Sequence, residues 1–159
     1  MKTTELRIGN YVDVINRSHE VHLPHNTIKK VGYIEFFKVK LYDYDKPFAM
    51  QANSWEVDSS DLSPVPLSDK ILLALGFKNW PDNENCFCKK YSNQGDFILF
   101  THNTLVGENA GLLKGEYYFM FDHLIHTVKY VHQIQNIFFS ISGAELEIHG
   151  TDAKALAEG

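Results

Sequence analysis

Apolar and polar positions alternate through the first third of the chain. Leu6 and Ile8 alternate before a Gly9-Asn10 turn signal, and Val12 and Val14 alternate after it. Ile28–Val31 and Tyr33–Leu41 then form a β-branched and aromatic run broken by Gly32, where a glycine inside a strand pattern marks a bulge or bend. Several short strands within residues 1–57 predict a small curled sheet. Residues 58–67, with Pro64 and Pro66, have the composition of a stiff connector. A helix with clear punctuation follows. Ser68 suits the N-cap, Leu67 and Leu72 are spaced as a hydrophobic staple, Gly76 suits the C′ position, and Phe77 can fold back onto Leu72.

Beyond that helix, Cys86–Tyr91 and Phe97–Thr101 flank the turn-rich stretch 92–96 as a hairpin, and Tyr117–Phe121 reads as a third strand. Leu124–Val128 suits either a strand or the start of a last helix. That helix, over about 129–142, stops at Gly143. Its wheel sorts Val131, Ile134, Phe138 and Ile141 onto one side and Lys129, Gln133, Asn136 and Ser140 onto the other. Residues 149–159 lack large apolar anchors and read as a fraying acidic tail. The expected fold class is therefore α+β. A small N-terminal barrel (1–57) is joined through the connector 58–67 to an α-β-β-β-α unit (68–148). Gly9-Asn10-Tyr11-Val12 resembles the first strand of SH3-like barrels, which implies that the barrel is SH3-like.

Composition narrows the class without choosing a function. The 159 residues carry 15 basic and 20 acidic side chains, a formal charge of −5, and 44% are apolar, which argues against wholesale disorder. The acidic excess is concentrated in the last seventeen residues, one Lys against four acids. The nearly neutral body supplies none of the broad basic field that drives phosphate binding. Lys29-Lys30 and Lys89-Lys90 are the local basic patches, and solvent-facing strand residues are their plainer reading. No apolar run approaches the ~20 residues of a membrane span, and two cysteines close in sequence suit a reducing, cytoplasmic setting.

Three places hold candidate chemistry. His19, His22 and His25 fall at three-residue spacing with Glu20 among them, so a zinc site and a metal-dependent enzyme built on it are conceivable. Pro24 opposes the helix that would bring the rings onto one face, so an exposed loop is the plainer reading. Cys86 and Cys88 would share a strand face, with His102 as a possible third ligand, but buried free thiols are the commoner outcome of that spacing. No Gly-X-Ser-X-Gly elbow or phosphate-cradling glycine loop is present, and no cofactor is expected. The helix-strand-strand-strand-helix order is shared with double-stranded-RNA-binding domains. The start of the last helix, however, offers His126, Lys129 and His132 where those domains carry a lysine cluster.

In the last helix Gln135 falls inside the apolar sector and His132 at its edge. Buried polar side chains of this kind either tie the helix to backbone groups or, with Tyr130 and Asn136, line a partner-binding face. The segment Tyr130–Phe139 followed by Gly143-Ala144-Glu145-Leu146 resembles the C-terminal block of small uncharacterised proteins from Bacteroides-type genomes and their prophages. Leu6–Val12 and Leu62–Leu67 resemble that family's two other blocks. The resemblance implies an accessory cytoplasmic protein of mobile-element or phage origin and carries no catalytic residues. The leading expectation is a non-catalytic protein-interaction module, with a small homo-oligomer as one form of that partnership and Tyr130, His132, Gln135 and Asn136 as its binding residues. A nucleic-acid-binding accessory protein is the runner-up, and the metal-dependent enzyme comes third.

Overall fold

The computed structural model describes residues 1–15, 28–43, 54–92, 95–101, 117–121 and 124–148. The fold is mixed α+β, with two five-stranded antiparallel sheets and two helices. In the first sheet, β1 (Tyr11–Val14), β2 (Lys29–Glu35), β3 (Lys38–Asp43), β4 (Trp55–Asp58) and β5 (Leu62–Pro64) are ordered β4-β3-β2-β1-β5. The ladder slips between Val31 and Tyr33, so Gly32 sits at the bulge its position in the strand pattern foretold. The β-branched and aromatic run Tyr33–Leu41 is divided between two strands. It reverses at Phe36-Phe37, with Glu35 opposite Lys38.

The segment 58–67, read from composition as a connector, contributes a whole strand. A 3-10 turn at Ser59–Asp61 links β4 to β5, and β5 pairs with β1 from Val12 opposite Pro64 to Val14 opposite Leu62. This short link also fixes the sheet's shape. Four residues of chain reach about 14 Å at most, whereas the edges of a flat five-stranded sheet stand about 19 Å apart. The sheet must curl. Its concave side gathers Val12, Val14, Val31, Val39, Leu41, Val57 and Leu62 into one apolar cluster.

The second unit opens with α1 (Asp69–Ala74), whose ends are built as the sequence implies. Ser68 Oγ accepts the Ile71 N–H at 3.3 Å. At the far end the Gly76 N–H donates to Leu73 O and the Phe77 N–H to Leu72 O, which is a Schellman ending. Gly76 takes φ +79°, and a Cβ there would stand 2.7 Å from Lys89 Nζ. Five strands follow rather than the expected three: β6 (Lys78–Trp80), β7 (Asn83–Ser92), β8 (Gly95–Thr101), β9 (Tyr117–Phe121) and β10 (Leu124–Val128). They are ordered β10-β9-β8-β7-β6. The ambiguous Leu124–Val128 is strand, so α2 starts at Val131 and runs to Ser142. Both helices cover one sheet face, and Leu72, Leu75, Phe87, Leu99, Phe119, Ile134 and Phe138 meet in a second cluster.

The two clusters share a strand. Val12 and Val14 point into the first, while Tyr11 belongs to the second, as the alternation of a strand dictates. No helix among the described residues is long and apolar enough to cross a membrane.

Candidate functional site

A seam of polar contacts joins the N-terminal turn, the start of β1, the inner face of α2 and residues 144–148. Gln135 lies at its centre and is fully buried. Its Oε1 accepts the Tyr11 N–H at 2.9 Å, and its Nε2 donates to Gly9 O and Leu146 O at 3.1 Å each. Both polar atoms of that amide are bonded to backbone. Asn136 extends the seam, accepting from Asn10 Nδ2 at 2.9 Å and Arg7 Nε at 3.3 Å and donating to Glu5 O at 3.3 Å. Arg7 forks onto Glu145 at 2.5 and 2.9 Å and lies 4.1 Å from the centre of the Phe139 ring. Gly9 takes φ +94°, and a Cβ there would stand 3.0 Å from Glu145 Oε2.

Beside the seam opens a cleft of about 750 Å³ between α2 and the β9–β10 edge of the second sheet. Phe119, Ile137 and Ile141 supply apolar wall, while Tyr130, His132 and Asn136 supply polar groups along α2. Three of the four sequence-predicted binding residues therefore meet at one hollow. Gln135 does not line it; it faces the seam and fits the tying role. Glu5, Phe119, Ile137 and Ile141 were not singled out from the sequence. For Ile137 and Ile141 the wheel carried the signal, since they lie at the flank of the apolar stripe. Glu5 arrives from the other end of the chain, where no local pattern marks it.

His132 is the unusual group. It is 4% exposed, and its Nδ1 is buried without a hydrogen-bond partner among the described residues. Burial pushes the imidazole pKa below its ordinary value, and the Glu5 carboxylate opposes this in part. The ring is near-parallel to Tyr130, with centroids 5.8 Å apart. At the helix start, Gln133 Oε1 reaches back to accept the Lys129 and Tyr130 N–H groups at 2.9 and 3.2 Å. The Ser140 hydroxyl is tied to Asn136 O at 2.8 Å. What this cleft offers chemically is a concave apolar wall with a few fixed polar contacts.

The other sequence candidates are distributed elsewhere. His19, His22, His25 and His102 lie outside the described residues. Among the described ones no three His, Cys, Asp or Glu side chains gather as a metal site. Cys86 is buried and Cys88 half-buried, neither is in a disulfide among the described residues, and burial, then the neighbouring Cys88, raises the Cys86 thiol to about 11. The basic patches are largely engaged. Lys29 is buried, paired with Asp43 at 2.5 Å and lying over Trp55, while Lys30 pairs with Glu147 at 2.6 Å. Lys89 donates to Leu75 O at 2.7 Å. Compared with protein-family models, curated proteins and solved structures, the chain matches none.

Proposed function

We propose that this chain is a non-catalytic protein-interaction module that receives its partner in the cleft between α2 and the β9–β10 edge. The observation that carries this reading is a concave, largely apolar hollow lined by a buried imidazole whose Nδ1 has no hydrogen-bond partner among the described residues. An imidazole whose hydrogen-bonding capacity the fold leaves unused can take up a bond from a bound segment. The first sheet is read as an SH3-like barrel. A bulged second strand, the order β4-β3-β2-β1-β5 and a 3-10 turn carrying the chain from β4 to β5 support this. The setting is an accessory role in the cytoplasm of a mobile element's host. The nucleic-acid reading is the weaker one, because Lys29, Lys30 and Lys89 already hold intramolecular partners.

The test is photo-crosslinking in cells with a benzophenone amino acid placed at Gln133 or Ser140 on the cleft, and at Glu56 on the first sheet as control. A discrete protein adduct from the cleft positions that disappears with Ile137→Glu is the expected result. Adducts from Glu56 alone, or adducts to RNA or DNA, would refute the proposal.

A further inference from the structure

The position of the cleft says what shape of partner it suits. His126 and Thr127 are neighbours on β10, so their side chains leave opposite faces of the sheet, yet both line the hollow. A cavity lined by both runs along the β10 backbone. Among the described residues β10 is an edge strand, hydrogen-bonded only to β9. An edge of this kind presents a row of backbone groups able to accept another strand. Just past β10 the chain already uses its edge in this way. The Leu67 N–H donates to Lys129 O and the Val131 N–H to Val65 O, each at 2.9 Å, closing an antiparallel bridge between Pro66 and Tyr130.

His132 supplies a second, independent indication. A buried N–H without an acceptor is rarer and costlier than a buried bare lone pair. With no acceptor for a proton on Nδ1 among the described residues, the neutral ring carries its hydrogen on Nε2 and acts there as a donor. The occupant must then bring an acceptor. Glu5 on the cleft wall disfavours a carboxylate, which leaves an uncharged carbonyl.

We propose that the cleft takes an extended, uncharged, apolar peptide segment as an added strand on β10. One apolar side chain of the segment lies against Phe119, Ile137 and Ile141, and a main-chain carbonyl accepts from His132. The inference rests on the docking reading above and specifies its mode. The added strand pairs with Leu124–Val128, and alternate side chains of the peptide turn away from the cleft. A charged segment or a folded domain surface would meet neither requirement.

The experiment uses the full chain, labelled with 15N, and the capped probe Ac-Thr-Ile-Thr-Phe-Thr-NH2. A matched probe carries N-methyl groups on the residues whose N–H groups would join the ladder. The expected result has three parts. The unmodified probe protects β10 amides from exchange. N-methylation weakens binding about tenfold, the loss expected when two backbone hydrogen bonds go. The His132 side-chain nitrogens report the Nε2–H tautomer, and His132→Phe weakens the probe while β10 protection by saturating probe persists. Equal affinity for the two probes, or a proton found on Nδ1, overturns the inference. So does a concentration-dependent dimer in which β10 of one copy is protected by β10 of another. A cellular partner that is lost with Ile137→Glu but leaves β10 amides exchanging at the free rate keeps the docking reading and sinks the added strand. Loss of the cleft crosslinks themselves removes both.

Discussion

Two residues of α2 show how a polar side chain in an apolar stripe can serve opposite ends. Gln135 makes three hydrogen bonds to backbone groups from two distant stretches of chain, Gly9–Tyr11 and Leu146. Gln135→Leu keeps the volume and strips those partners, leaving buried N–H and C=O groups unsatisfied. Destabilisation on the order of 3 kcal/mol is expected, read as a lower urea midpoint at unchanged slope. Unchanged stability with lost partner binding would have marked it as a recognition residue instead. His132 behaves differently, because its Nδ1 has no partner among the described residues. Its folded pKa lies below the unfolded value, so the unfolded chain binds the proton more tightly and stability rises with pH where that difference operates. The contribution is complete above the ordinary histidine pKa of about 6.5 and is lost as pH falls below it. Denaturation midpoints between pH 5 and pH 7.5 should therefore fall toward acid, and His132→Phe should flatten that slope. A slope that survives the substitution would assign it to other groups.

At the scale of elements, what could be read from the sequence was what is locally encoded. The caps of α1 lie within three residues of the helix they close, so Ser68, Leu67, Gly76 and Phe77 announced them, and Gly32 announced its bulge. Pairings across the chain left no such mark. Nothing in Leu62–Pro64 shows that it is the strand that completes the first sheet beside β1. Leu124–Val128 became strand because β9 accepts it in full register, from Leu124 opposite Phe121 to Val128 opposite Tyr117. The cleft was legible by half for the same reason. Tyr130, His132 and Asn136 lie close together on one element, but Glu5 and Phe119 come to them only through the fold. The hairpin between β2 and β3 was missed because its turn breaks the usual chemistry. Phe36 takes φ +49°, a region that favours Gly or Asn, and both phenylalanines are exposed, at 83% and 75%. Since Phe36 gives up almost no packing, Phe36→Gly should relieve roughly 1–2 kcal/mol of left-handed strain against roughly 0.5–1 kcal/mol of added chain entropy, a net gain of about 0.5–1 kcal/mol. Thermal unfolding of the variant checks it. A loss of stability would mean that the ring holds contacts beyond those its exposure implies.

For the whole molecule, the question is whether two sheets with two apolar clusters fold as one. The seam argues that they do. β1 is divided between them, with Val12 and Val14 in one cluster and Tyr11 in the other. The Tyr11 hydroxyl also accepts the Ile148 N–H at 3.0 Å, and ion pairs from Arg7 and Lys30 reach Glu145 and Glu147 across the same junction. The exposed ion pairs contribute little individually. The buried bonds of Gln135 and Tyr11 contribute more, because opening either half alone would strand them away from both water and partner. A substitution deep in one cluster should consequently be felt in the other. Leu72→Ala empties a fully buried site in the second cluster and should cost about 2–5 kcal/mol. If the halves are coupled, amide exchange at Val39 and Leu41, in the first sheet, should speed up by the same free energy as exchange at Phe87 and Leu99. Val39→Ala, with a smaller deletion, should transmit a smaller loss in the reverse direction. Exchange in the first sheet unchanged by Leu72→Ala would divide the molecule into two units that unfold separately, with the Gln135 bonds breaking first.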